Sequence, residues 1–287
     1  MLAPGPYFQV PTVDIGPYLR DPSSDAAAGT VDTIRKACIS SGFFQIANHG
    51  ISKGLQESMQ RAAEALFALP LEEKTRLIHP TLTNRGYELI GSQVLQPDAL
   101  PDLKEGFCVG QHMNFDDERV KSHPQLMGPN VFPPNLEDHT LKVPAQQYYT
   151  ELFNLACRIM EMLAKGLPYG DDIFVPFMSN DPLRRARSPG RHNGGWHAIE
   201  PDPECLVVNI GDMLSVWTNV YKSTVHRVIN RGEHGRYSMA FFVDGNTDVR
   251  LAPLDGSVPA TGKVMTTEEH MEHRIGKTYR KVAAQAI

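Results

Sequence analysis

The chain has 287 residues, 41% of them hydrophobic, and its 33 acidic and 28 basic residues leave a formal net charge of −5. These values are ordinary for a globular protein with a sizeable core, and the lack of a basic surplus argues against nucleic acid or anionic lipid as a partner. We expect no membrane span, since no apolar run approaches roughly 20 residues, and no secretory signal in residues 1–15.

The first elements carry clear local signals. Residues 31–38 repeat apolar side chains at helical intervals, and Gly42 leads into the aromatic and β-branched run 43–50. That run predicts a strand closed by an Asn-His-Gly turn. A second helix is predicted from Ser52, a suitable N-cap, to Pro70, which stops it.

The second half changes from helix to short strands. Residues 80–140 predict loops with short strands, and a long helix is predicted over 144–167. From about residue 196, short apolar runs alternate with turn residues, and a polar helix is expected over 266–285. The predicted strands are CLVVNI, MLSVWT, STVHRVIN and RYSMAFFV. The chain is therefore predicted to be α+β, with an N-terminal helical and mixed region followed by a jelly roll.

Two features of the last strands suggest a site. On a strand, Arg236 and Ser238 share one face, and a guanidinium beside a hydroxyl can clamp a carboxylate. His226 stands in an apolar run and can hold a metal. Taken singly, each has a simpler interpretation: Arg236 caps a strand beside a turn, and His226 is a hydrogen-bonded core residue.

The order of motifs along nearly the whole chain resembles one enzyme family. It is similar to the 2-oxoglutarate- and Fe(II)-dependent dioxygenases of the isopenicillin-N-synthase-like branch. The motifs are VPTVDI, SGFFQIANHGIS, LPLEEKTR, RGYELIG and DLKEGFCVG in the first half, and GWHAIEPDPECLVVNIGDMLSVWTNVYKSTVHRV and RYSMAFF in the second.

The resemblance implies a double-stranded β-helix, Fe(II) as the metal, 2-oxoglutarate as co-substrate, and molecular oxygen and a small molecule as reactants. It implies hydroxylation, desaturation or ring closure in natural-product or catabolic metabolism. Non-haem Fe(II) oxygenases use two histidines and one carboxylate as ligands. By resemblance, His226 is the second metal histidine, and Arg236 and Ser238 bind the distal carboxylate of 2-oxoglutarate. The segments expected to line the substrate pocket contain Arg85, Tyr87, Phe107 and Phe242.

The family's first metal histidine and its aspartate, spaced His-x-Asp, are missing from their expected place. Of the eleven histidines, only His270 has an acid two residues later, and it lies downstream of Arg236. The sequence passes at residues 187–191 from one family segment to another well beyond it, which predicts a jelly roll lacking several strands. The expected domains are 1–140 for the N-terminal region, 141–265 for the interrupted jelly roll and 266–287 for a C-terminal helix.

Three interpretations remain open at this point. The chain is an oxidoreductase of this family, it is a catalytically inactive relative that binds at most a dicarboxylate or a partner, or it is the non-functional product of a damaged reading frame. His192 and His197 are the available substitutes for the missing ligand. The four cysteines form no C-x-x-C pair, which indicates neither a zinc site nor disulfides and favours a cytoplasmic protein. Trp196 and Trp217 are expected to be core residues, and Asp212 a turn residue.

Overall fold

A computed structural model describes residues 10–79, 81–82, 84–92, 104–179, 183–185, 199, 202–224, 226, 236–259 and 262–278. The helices are α1 (Gly16–Arg20), α2 (Asp25–Ser40), α3 (Lys53–Phe67), α4 (Leu71–Thr75), α5 (Glu118–Ser122), α6 (Lys142–Lys165), α7 (Val175–Met178), α8 (Asp212–Thr218) and α9 (Thr267–Thr278). The strands are β1 (Thr12–Asp14), β2 (Phe43–Ala47), β3 (Gly86–Glu88), β4 (Gly106–Cys108), β5 (Leu183–Arg185), β6 (Leu206–Asn209) and β7 (Phe242–Gly245).

The strands form three small sheets. In the first, β2 pairs in parallel with β1 and antiparallel with β6, which places Phe43 opposite Asn209. The second is the antiparallel pair β3–β4, and the third is the antiparallel pair β5–β7. The α+β class is confirmed. Within the described ranges the strands of the C-terminal half do not close into a roll.

The predicted helices α2, α3 and α6 are confirmed, and their ends follow the local signals. The hydroxyl of Ser24 accepts the Ala27 N–H at 3.2 Å, and that of Ser52 accepts the Leu55 N–H at 3.2 Å. Each bond satisfies an amide that the first helical turn leaves unpaired. At the other end of α6, Gly166 is the C-cap residue. None of the helices in the described part is long and apolar enough to cross a membrane.

The main core lies between α2, β2, α6 and the loop-and-helix segment around α8. Phe44 and Ile46 are fully buried on β2, and Trp217 of α8 packs against Phe174 and Phe177 at ring-centroid distances of 5.1 and 5.5 Å. Each such side chain contributes about 1.5–3 kcal/mol through its burial. Trp217 is therefore the core residue that the sequence indicates, while Trp196 lies outside the described residues.

Two predicted strands are wrong. The MLSVWT segment forms helix α8, because Gly211 is extended at the N-cap, Asp212 stands in the first turn, and Asn219 adopts the left-handed conformation (φ 52°) that ends a helix. In RYSMAFFV only the end is a strand, since residues 236–241 pair with no other described segment and β7 begins at Phe242.

Candidate active site

His226 is held beside the start of β2. The Thr224 hydroxyl donates to the Ser41 carbonyl at 2.5 Å, and the half-buried His226 ring packs edge-on against Phe43 with centroids 5.1 Å apart. His226 Nδ1 lies 3.0 Å from the Thr224 carbonyl oxygen. Because a carbonyl only accepts, this bond requires the proton on Nδ1 and leaves the Nε2 lone pair available. That is the tautomer in which metal-binding histidines are commonly held.

The expected carboxylate clamp is not assembled. Arg236 and Ser238 are exposed and lie before β7, outside the strands of the described residues, so no strand pairing within that part of the chain aligns them on one sheet face. Their neighbour Tyr237 instead lies against Phe67 of α3, with ring centroids 6.1 Å apart. The placement of Arg236 and Ser238 on a common strand face is thus corrected.

The residues that the structure describes do not make up an Fe(II) site. His226 presents one ring nitrogen in a tautomer suited to a metal, but the described residues contain no group of three or more His, Cys, Asp or Glu side chains able to hold one. An Fe(II) site of this class needs two histidines and a carboxylate. His192, His197 and the 187–191 join lie outside the described residues.

The His270-Met271-Glu272 pattern is not a ligand pair. Glu272 is exposed, whereas His270 is buried on α9 with Nε2 located 3.3 Å from Asp212 Oδ1. Arg274 Nε lies 3.2 Å from Asp212 Oδ2. Burial raises the pKa of the Asp212 carboxyl, but His270, Arg274 and the Met213 N–H together outweigh burial and lower that pKa below its ordinary value. Asp212 is therefore more than a turn residue, because it joins α8 to α9.

Tyr87 and Phe107 are brought together on β3–β4, and Arg85 lies immediately before β3. Tyr87 stands directly opposite Phe107, and Phe107 packs against Phe132 at a centroid distance of 6.1 Å. Arg85 is buried and donates to the carbonyls of Asn84 at 2.9 Å and Gln111 at 3.1 Å. Phe242 lies elsewhere, on β7 opposite Arg185.

A charged group that the sequence does not reveal lies beside Tyr87. The buried Lys74 ammonium donates to Glu105 Oε2 at 2.7 Å and to the Phe67 carbonyl at 3.1 Å. The Tyr87 hydroxyl donates to the same Glu105 oxygen at 2.6 Å. Burial, and then the bond to Glu105, raises the pKa of Tyr87. One carboxylate thus joins the LPLEEKTR, RGYELIG and DLKEGFCVG motifs.

Comparison with known proteins shows the family. Residues 10–135 match the profile described as non-haem dioxygenase in morphine synthesis N-terminal, and residues 169–245 match that of the 2OG-Fe(II) oxygenase superfamily. The 2-oxoglutarate-dependent dioxygenase citB of Monascus ruber is 39% identical over 318 aligned positions, spanning 95% of this chain and 96% of its own. Clavatol oxidase claD of Penicillium crustosum is 33% identical, spanning 96% and 98%. The chain belongs to the 2-oxoglutarate- and Fe(II)-dependent dioxygenases, a class of enzymes.

Solved structures agree on the fold. A 2OG-Fe(II) oxygenase family protein from Caulobacter crescentus matches with a TM-score of 0.76 at 25% identity, over 93% of this chain and 99% of its own. A full-length Neurospora crassa protein in complex with alpha-KG matches with a TM-score of 0.73 at 20% identity, over 93% and 95%. The chain thus resembles in its overall fold oxygenases whose catalytic half is a jelly roll. Fe(II) and 2-oxoglutarate are the cofactor and co-substrate of the family, and JOX2 was crystallised with 2OG and Fe.

Proposed function

We propose that this protein's function is the oxidation of a small molecule of natural-product or catabolic metabolism, by hydroxylation, desaturation or ring closure. The observation that supports it is the 39% identity to citB over 95% of the chain. Clavatol oxidase, a second relative of full length, is named for a small molecule. We further propose a cytoplasmic location and the domain limits 1–140, 141–265 and 266–287.

In this proposal the chain's own residues supply binding and positioning. His226 offers Nε2 as one ligand, and Arg236 and Ser238 bind the distal carboxylate of 2-oxoglutarate once they lie on a paired strand. On the N-terminal side, Tyr87 and Phe107 border an apolar cluster that contains Phe67 and Phe132, which suits an aromatic or otherwise apolar substrate. Fe(II) with 2-oxoglutarate supplies the oxidising chemistry when bound.

A second candidate is a catalytically inactive relative that binds 2-oxoglutarate, another dicarboxylate or a partner. The described residues contain no group of three ligands able to hold a metal, and this observation favours the inactive relative.

One experiment separates the two candidates. The purified chain is incubated with Fe(II), 2-oxoglutarate, ascorbate and a panel of small aromatic natural products that includes clavatol, and succinate and oxidised products are measured by mass spectrometry. Substrate-dependent succinate supports the oxidoreductase. Absence of succinate, with 2-oxoglutarate binding that Arg236→Ala weakens and Lys222→Ala leaves unchanged, supports the inactive relative. If the chain shows neither turnover nor 2-oxoglutarate binding, it has neither of the two proposed functions.

A further inference from the structure

The alignments with relatives contain more positions than this chain has residues to fill. The alignment with citB has 318 positions, but 95% of 287 residues is about 273, so about 45 positions have no residue of this chain opposite them. The 300-position alignment with thnC of Trichoderma harzianum spans 90% of the chain, about 258 residues, and leaves about 42. The 330-position alignment with clavatol oxidase spans 96%, about 276 residues, and leaves about 54. Because several divergent relatives leave a similar number of positions unmatched, residues lost from this chain explain the difference better than an insertion in one relative.

From the sequence and the structure together, we infer that this chain lacks one segment of about 45 residues between β5 and β6, and with it the metal-binding His-x-Asp. The inference rests on the proposed function. At about 8–12 residues per strand and turn, such a segment corresponds to about four strands.

Three structural observations support that position. Strands β5 and β6 are consecutive along the described chain yet lie in different sheets, since β5 pairs with β7 and β6 pairs with β2. The β5–β7 pair has only two described strands, whereas an independently stable sheet needs three or more. Residues 236–240 have no strand partner in the described chain, although the same motif suggests a strand by its sequence.

Several apolar side chains on β6 and in the segment before β7 are exposed. Val207 on β6 is 48% exposed, and Tyr237 and Met239 in the segment before β7 are 44% and 37% exposed. Apolar side chains and unpaired strand edges of this kind are normally covered by neighbouring strands. The loss therefore accounts for an Arg236–Ser238 pair that no described strand aligns. It also accounts for a His226 that is oriented as a ligand but has no further metal ligands beside it among the described residues.

The test restores the segment and measures metal binding without requiring turnover. The residues of citB that have no counterpart here are inserted at the 187–191 join, and both chains are titrated anaerobically with Fe(II), with and without 2-oxoglutarate. The readouts are the visible charge-transfer band and the bound iron. We expect no band from the 287-residue chain and Fe(II) binding at least ~100-fold tighter in the restored chain, since losing primary ligands costs more than the 10- to 100-fold typical of an outer-shell partner.

Controls fix the interpretation. His226→Ala, or alanine in place of the inserted histidine and aspartate, should abolish the gain, whereas His139→Ala on the exposed surface should leave it intact. Near-stoichiometric Fe(II) binding by the 287-residue chain, or a restored chain that gains none, would overturn the inference. A restored chain that binds Fe(II) and 2-oxoglutarate but oxidises no compound of the panel would overturn only the proposed function.

If the 287-residue chain proves insoluble, a shortened citB tests whether the segment is needed for Fe(II) binding. Removing from citB the residues that have no counterpart here should abolish its Fe(II) binding. Near-stoichiometric Fe(II) bound to that shortened relative would overturn the inference.

Discussion

At the residue scale, Gly42 has little freedom to change. Its φ is +72°, and a Cβ atom there would lie 1.9 Å from the Lys222 carbonyl oxygen. The same residue accepts the Ile210 N–H at 2.9 Å, so its backbone joins β2 to the segment that follows β6. Any side chain at this position must displace the Lys222 backbone.

Gly42→Ala should therefore lower the free energy of unfolding by about 2–4 kcal/mol. The matched control is Gly29→Ala in α2, where a Cβ would meet nothing within 4 Å. That change should raise the free energy of unfolding by up to about 1 kcal/mol, since alanine favours a helix interior. Urea unfolding followed by circular dichroism measures both, and a Gly42→Ala protein as stable as the parent would contradict the structure.

The side-chain group around Glu105 makes a second prediction at this scale. Lys74 is 9% exposed at its side chain and Glu105 is 28% exposed, so removing either charge leaves the other poorly solvated. Lys74→Met should cost about 1–3 kcal/mol, less than the cost of breaking a fully buried pair because Glu105 reaches water. The double variant Lys74→Met/Glu105→Gln should lose less stability than the two single variants lose in sum, by at least about 0.5 kcal/mol. Strict additivity in urea unfolding would show that the two charges do not interact.

At the element scale, helix α9 is joined to both halves of the molecule. Its buried Met271 packs with Met113, Val120, Leu126 and Met127. Toward the N-terminal half, His123 Nδ1 lies 2.6 Å from Glu268 Oε1. Toward α8, His270 and Arg274 flank Asp212. The predicted polar helix is confirmed, but one face of it is buried.

The contacts of Asp212 with α9 contribute to stability in a way that depends on pH. The folded-state pKa of the carboxyl is lowered, so its contribution to stability is present above the ordinary aspartate pKa of about 3.9 and is lost as pH falls through the folded value. Because the side chain is 43% exposed, Asp212→Asn should cost only about 0.5–1 kcal/mol at pH 7. The difference from the parent should begin to shrink as the pH falls below about 3.9 and should vanish only once the pH lies below the lowered folded-state pKa. Glu272→Gln, on the exposed face, is the control, and equal effects of the two changes would exclude the Asp212 contacts as the cause.

The elements also show how far sequence alone reaches. Helices α2, α3 and α6 were predictable because their caps, stops and apolar periods are all local. Strand β2 was predictable from its aromatic and β-branched run beside Gly42. Helix α8 was not, because six largely apolar residues fit a strand and a helix equally well until Trp217 finds its core partners.

The candidate site likewise contains features with a local sequence signal and features that depend on distant segments. His226 is recognisable from its motif, and its Nδ1 bond to Thr224 is local. The clamp of Arg236 and Ser238 requires a neighbouring strand, and no pattern within residues 236–243 supplies one. The contact between Lys74 and Glu105 spans 31 residues of chain and has no signature in spacing.

At the scale of the whole molecule, the inferred loss predicts weak packing of the C-terminal half. The restored chain should melt at least ~4 °C above the 287-residue chain, the shift expected from roughly 1–2 kcal/mol at this size. It should also scatter less light on heating, because exposed strand edges promote association. Melting temperatures and scattering are measured by differential scanning fluorimetry with a light-scattering channel. Equal temperatures and equal scattering in the two chains would show that the inserted strands add nothing to the fold.

The pairing of β2 with β6 also has a consequence for synthesis on the ribosome. Phe43 pairs with Asn209, so the two partners are separated by 166 positions along the chain. Translation at about 5–20 residues per second needs roughly 8–33 s to cover this distance. During that time the apolar strand β2, which contains Phe43, Phe44 and Ile46, has no β6 to pair with. During that interval β1 can cover one edge of β2 while the other stays open to chaperones, or to the same strand of a neighbouring nascent chain.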